Sequence, residues 1–225
     1  MTRFSISAAL AMSVCATVAM AQPALETDEQ KTLYALGIAL GDNIRQFDLS
    51  AEELAAVAAG MNDAALGNEF KVDMEVYGPR IEALATQRAT ARAAGEKEAS
   101  AEFVYELAQE AGAQRTASGM VYIPVTEGSG ESPAAADTVQ VHYHGTLRDG
   151  TVFDSSVDRG EPISFPLDGV IPCWTEGVQK MKVGGKARLV CPSDTAYGDS
   201  GQGPIPGGAA LVFEVELLAI EGAAP

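Results

Sequence analysis

Tyr143, Phe153, Ile171, Trp174, Tyr197 and Phe213 set the chemistry open to this chain. They lie in segments nearly free of acid, base or metal-ligand clusters. Gathered in one place, they would form a dry cup for something apolar, ring-shaped and neutral, which describes a prolyl ring. Other candidates offer less. His142 and His144 lie two apart on one face of a strand, but no third metal ligand follows at a recognisable spacing, so no metal site is expected. Gly184-Gly185-Lys186 lacks the spacing of a phosphate loop and reads as a turn. Ser155-Ser156 has no base partnered to it in sequence and reads as turn chemistry. Tyr143 and Phe213 could equally be core, because alternating strand aromatics usually are, and Trp174 would anchor either core or cup.

These residues need a scaffold that points them inward. From Gly119 the pattern alternates: Val121 and Ile123 begin a strand, and Val139, Val141 and Tyr143 alternate with Gln140, His142 and His144. Asp149-Gly150 between Leu147 and Val152 is a hairpin signal. Residues 186–190 and 211–218 read as further strands, and 175–181 as a short helix. Several antiparallel strands and one helix make an α+β domain.

The preceding segment is helical. Leu33, Leu36, Leu40, Ile44 and Phe47 mark one helix face, with Gly37 and Gly41 beside it. Ser50 with Glu53 forms a capping box for a second helix carrying Leu54, Val57, Ala58 and Met61, and Gly67 is a stop. Gly78-Pro79 introduces a long alanine- and charge-rich helix reaching about Gly112. Its middle, residues 88–100, is nearly bare of large apolar side chains and reads as a solvent-crossing spacer. So thin a helical core favours a homodimer through residues 28–75, with a compact monomeric bundle as the alternative. The expected divisions are a leader over 1–21, a helical dimerisation domain over 22–78, a linker helix over 79–112 and the α+β domain over 113–225.

The chain has 225 residues and a formal net charge of −16, from 31 acidic and 15 basic residues. That balance argues against a nucleic-acid partner, which would require a basic face. Arg3, the apolar run that follows and Ala19-Met20-Ala21 have the form of a signal peptide cleaved after Ala21. The run is too short to span a bilayer. Met12-Ser13-Val14 lacks the small residue expected before a lipidated Cys15, so an outer-membrane anchor is not expected. A periplasmic location follows for a Gram-negative source. Removing the leader leaves Cys173 and Cys191, an even pair that could be bridged or remain two buried thiols.

Ordered blocks carry a resemblance. Val-His-Tyr-x-Gly (141–145), Asp-Gly-x-x-Phe-Asp-Ser-Ser (149–156), Val-Ile-Pro-x-Trp-x-Glu-Gly (170–177), Met-x-x-Gly (181–184), Ala-Tyr-Gly (196–198) and Leu-Val-Phe-x-Val-Glu-Leu (211–217) resemble the FKBP-type peptidyl-prolyl cis–trans isomerases. The helical segment is similar to the dimerisation domain of periplasmic bacterial members. The resemblance implies an antiparallel sheet wrapped around a short helix, with a pocket between them. It implies substrate contacts from Tyr143, Phe153, Asp154, Arg159, Ile163, Phe165, Val170, Ile171, Trp174, Tyr197, Ile205 and Phe213. It also implies catalytic roles for Asp154, Tyr197 and Tyr143. Asp154 would act through Arg159 and Tyr143, its plainer reading being a turn residue. The Ile171 N–H and Tyr197 hydroxyl would hold substrate carbonyls. The same fold would bring Cys173 near Cys191, which favours a disulfide.

The sequence departs from the family at Ile163, where an aromatic is common, and at Cys173, which replaces a glycine. The short loop 199–210 departs too, lacking a usual histidine and carrying Gly207-Gly208. No cofactor is implied. The partners implied are proline-containing unfolded or exported polypeptides, with a macrolide as a further ligand. Three functions are weighed: an isomerase assisting folding of exported proteins, a dimeric chaperone or peptide-binding module with little isomerase activity, and a structural envelope protein.

Overall fold

The structure is a computed structural model that describes residues 25–221, in two units, one ending at Arg45 and one beginning at Gln46. The leader expected over 1–21, with its cleavage point at Ala21 and Cys15, lies outside the described residues. No helix among them is long and apolar enough to cross a membrane.

The first unit is built on α1 (Asp28–Ile44). Thr27 and Gln30 form a capping box that satisfies two of the helix's free N–H groups. No residue of α1 is buried; Leu33, Leu36 and Leu40 all face outward from it.

The second unit begins with a capped helix, α2 (Ala51–Leu66), closed by Ser50 and Glu53 as the sequence predicts and ending at Gly67. The Ser50 backbone N–H and the Arg88 guanidinium hold the Glu53 carboxyl down to about 2. Arg88 belongs to α3 (Met74–Leu107), so this pair ties α2 to α3. The start of α3 corrects the sequence reading. Asp73 caps it, accepting the Glu75 N–H at 2.8 Å, and Gly78-Pro79 lies inside it. Proline normally drives the preceding residue out of helical geometry through a clash with that residue's Cβ, which Gly78 lacks.

The second half of α3 is another correction. Ala93, Ser100 and Val104 are buried, and Phe103 and Leu107 pack with Val121, Ile123, Val190 and Ala210. From Ala93 onward the helix is therefore docked, and the spacer does not run to Gly112. The burial recurs at helical spacing on small side chains, which let the helix approach closely without a large apolar stripe.

The sheet comprises β1 (Gln114–Arg115), β2 (Val121–Thr126), β3 (Thr138–Leu147), β4 (Val152–Ser155), β5 (Ile163–Pro166), β6 (Lys186–Cys191) and β7 (Leu211–Glu221). All pairings are antiparallel, in the order β1-β2-β6-β7-β3-β4, with β5 also on β3. Between β4 and β5 lies a single-turn helix, α4 (Ser156–Arg159), and between β5 and β6 lies α5 (Pro172–Val178). The strands have two buried faces. Tyr122, Leu189, Leu211 and Phe213 turn toward α5, Trp174 and Val178, while their neighbours Val121, Ile123, Val190 and Val212 turn toward α3. The observed helix starts at Pro172, a residue suited to a first turn, ahead of the expected Thr175.

Candidate active site

A solvent-open cavity of about 770 Å³ lies between α5 and the sheet. Every pocket residue expected from the sequence blocks lines it. Tyr143 comes from β3, Phe153 and Asp154 from β4, Arg159 from the end of α4, and Ile163 and Phe165 from one face of β5. Val170, Ile171 and Trp174 come from the entry to α5, Tyr197 and Ile205 from the stretch before β7, and Phe213 from β7. Gly169, Gln202, Gly203 and Pro204 also line it, and sequence reasoning missed them. Small and polar loop residues carry no apolar pattern; Gln202, Gly203 and Pro204 were marked only by their place in a proline- and glycine-rich loop near Tyr197, and Gly169 only by preceding Val170.

Trp174 is the hub. Tyr143, Phe165 and Phe213 meet its ring edge-on at centroid distances of 5.3, 5.6 and 5.3 Å. Such T-shaped contacts suit the quadrupoles of aromatic rings and lock each side chain against the next. Phe213 in turn meets Phe153 at 5.4 Å. Gly145 makes room for Phe153, whose ring atoms come within 2.7 Å of where a Cβ on Gly145 would stand. The Trp174 Nε1–H is buried and has no hydrogen-bond partner among the described residues. Unpaired buried donors are uncommon.

The polar edge of the cavity is a three-residue network. The Tyr143 hydroxyl donates to Asp154 Oδ2, and Arg159 Nη1 donates to Asp154 Oδ1. Arg159 Nη2 also reaches the Tyr143 oxygen at 3.2 Å, and its guanidinium lies 5.7 Å from the Tyr143 ring centre. Burial pushes the Asp154 carboxyl up, but the Tyr143 and Arg159 hydrogen bonds outweigh it and hold the carboxyl below its usual range. Burial and the hydrogen bond to Asp154 push the Tyr143 hydroxyl up. Both groups thus keep their ordinary neutral-pH forms, carboxylate and phenol.

Backbone clamps position this network. The buried Ser156 Oγ accepts the Tyr143 N–H at 2.8 Å and donates to the Tyr143 carbonyl at 3.3 Å. Ser155 caps α4 by accepting the Asp158 N–H at 3.1 Å, which places Arg159 beside Asp154. His142 and His144 engage these serines through Nδ1 at 3.2 and 3.0 Å. As the residue preceding α5, Ile171 gives its carbonyl to the Trp174 and Thr175 N–H groups, leaving its own N–H outside the helix ladder. Cys173 and Cys191 are joined in a disulfide with a Cα–Cα distance of 5.6 Å, tethering the first turn of α5 to the end of β6.

The family model described as FKBP-type peptidyl-prolyl cis–trans isomerase matches residues 129–218. A second, the domain amino terminal to FKBP-type peptidyl-prolyl isomerase, matches residues 29–123. The FKBP-type peptidyl-prolyl cis–trans isomerase FkpA of Aeromonas hydrophila is 44% identical over 206 residues, covering 86% of this chain and 76% of that protein. The FKBP-type 22 kDa peptidyl-prolyl cis–trans isomerase of Escherichia coli K12 is 40% identical over 209 residues, covering 89% of this chain and all of that protein. The crystal structure of FkpA from Escherichia coli superposes with a TM-score of 0.70 at 38% identity, covering 88% of this chain and 98% of that one. With the helical segment and the sheet both matched, the chain belongs to the FKBP-type peptidyl-prolyl cis–trans isomerases.

Proposed function

We propose that the Trp174-floored cavity takes the prolyl ring of a Xaa-Pro segment and speeds rotation about the preceding amide. That rotation faces a barrier of about 18–20 kcal/mol because the planar bond has partial double-bond character. The planar amide carries charge separation that water stabilises, and the twisted form loses it. A dry aromatic cup disfavours the planar form more than the twisted one, so the transition state binds better than the ground state. No nucleophile is needed. The observation that carries this reading is the solvent-open cup walled by Tyr143, Phe165 and Phe213 around one indole.

Asp154 fixes the edge of the cup through Tyr143 and Arg159, and the Ile171 N–H and Tyr197 hydroxyl hold the substrate carbonyls. A protease-coupled assay on a Xaa-Pro tetrapeptide tests the whole assignment. The wild-type chain should accelerate isomerisation, and Asp154→Leu should lower kcat/KM about ten-fold, in the range of a lost positioning contact. An unchanged kcat/KM would remove Asp154 from the mechanism.

The substrates in this reading are proline-containing polypeptides entering the periplasm, with the leader removed after Ala21. A macrolide of matching shape would compete for the same cup. Residues 22–78 pair two copies of the chain, which places two cups on one client. A second reading, that the helical region itself holds unfolded chains, draws on the exposure of Leu33, Leu54, Phe70 and Ile81. It predicts suppression of client aggregation that survives blockage of the cup, whereas a purely catalytic protein would lose all effect.

A further inference from the structure

We propose that Lys97, on the turn of α3 from Ala93 to Ser100, is a positioning residue for the prolyl site, holding the 199–210 segment that forms one wall of the cavity. The inference rests on the reading of that cavity as the prolyl site. Gln202, Gly203, Pro204 and Ile205 of this segment line the cup, yet the segment forms no named strand or helix. Among the described residues its β-type pairing is confined to an isolated bridge between Gln202 and Ile205, with turn hydrogen bonds from Gly201 to Tyr197 and from Gly208 to Gly198. Something outside it must fix where it stands.

α3 supplies that support. A Cβ on Gly208 would lie 2.2 Å from the Ala93 carbonyl oxygen and 2.8 Å from the Lys97 backbone nitrogen, and Gly208 has φ +81°. Only glycine allows both that backbone conformation and that approach. A Cβ on Gly207 would come within 3.1 Å of the Ala93 Cβ. The buried Ser100 Oγ accepts the Ala210 N–H at 2.8 Å, where the segment passes into β7. Lys97 Nζ spans the front, 2.6 Å from Asp194 and 3.3 Å from Asp199, which flank Tyr197. The wall is thus gripped at both ends by one face of one helix.

The test compares full-length Lys97→Met, Lys97→Arg and Ala93→Leu with wild type. In Lys97→Met, KM for the tetrapeptide should rise about three-fold with kcat nearly unchanged, as suits partly exposed ion pairs. Lys97→Arg should restore KM. Ala93→Leu, which overfills a close contact, should raise KM about ten-fold. Amide hydrogen exchange of residues 199–210 should quicken in both weakened variants while β6 and β7 keep their protection. Glu110→Gln, which breaks only the pair with Arg188, should leave the segment's exchange and KM as in wild type. Unchanged exchange of 199–210 in Lys97→Met would overturn the proposal whatever the assay reads and whatever Ala93→Leu does. A wild-type chain without isomerase activity would instead count against the prolyl reading alone, because the exchange readout needs no turnover.

Discussion

The helical arm and the sheet domain both carry regular apolar patterns, but they use them differently. In α1 and α2 no residue is buried, and Leu33, Leu36 and Leu54 stand about half exposed. In β6, Ala187, Leu189, Val190 and Cys191 are all fully buried, shared between two cores on opposite faces of one sheet. An apolar stripe tells which side of an element avoids water, and the chain's own fold decides whether anything in the same molecule covers it. The sheet domain closes on itself. Each of these two helices, taken within its own unit, leaves its stripe open, which is the physical ground for the proposed pairing of two copies.

Removing buried volume from the closed region should have the largest effect. Leu189→Ala empties a site packed between α5 and the sheet and should cost about 3 kcal/mol by urea denaturation. A similar loss from Leu36→Ala in the arm would erase the distinction between the regions. Replacing both Cys173 and Cys191 by serine opens a loop with a sequence separation of 18 and should cost about 3 kcal/mol. Isomerase activity should follow a pH window set by the polar edge. Asp154 titrates below its unfolded value of about 4, so its contribution is present above that pH and lost as pH falls through the lower folded value. Tyr143 titrates above its unfolded value of about 10, so its contribution is present below that pH and lost as pH rises through the higher folded value. kcat/KM should therefore stay level between about pH 5 and pH 9, and a mid-range step would show that another group governs the cup. The smallest effect should come from Leu36→Ala with Leu40→Ala. Sheet-domain stability should shift by less than about 0.5 kcal/mol, while sedimentation should show weakened self-association.

The cup was legible in the sequence because it is made of large side chains in fixed blocks. Tyr143, Trp174 and Phe213 carry both the pattern and the aromatic surface, and they meet within 6.4 Å of one another. The Ser50 and Glu53 capping box was legible too, since its two hydrogen bonds are local. What escaped was written in small residues. Ala93, Ser100, Gly207 and Gly208 bring backbones together by lacking side chains, and no hydrophobic periodicity records that. β5 escaped as well, because Ile163–Pro166 is a short run flanked by prolines that pairs only through its β3 neighbour.

The bridge between Cys173 and Cys191 sits one residue from the indole at the base of the cup. Thiols stay reduced in a cytosol and oxidise once outside it. If the chain is exported as proposed, a newly made copy would carry the two thiols unbridged while still among cytosolic proteins, and the floor would be tied down on arrival in oxidising surroundings. One covalent bond would make the catalyst's maturity depend on its address.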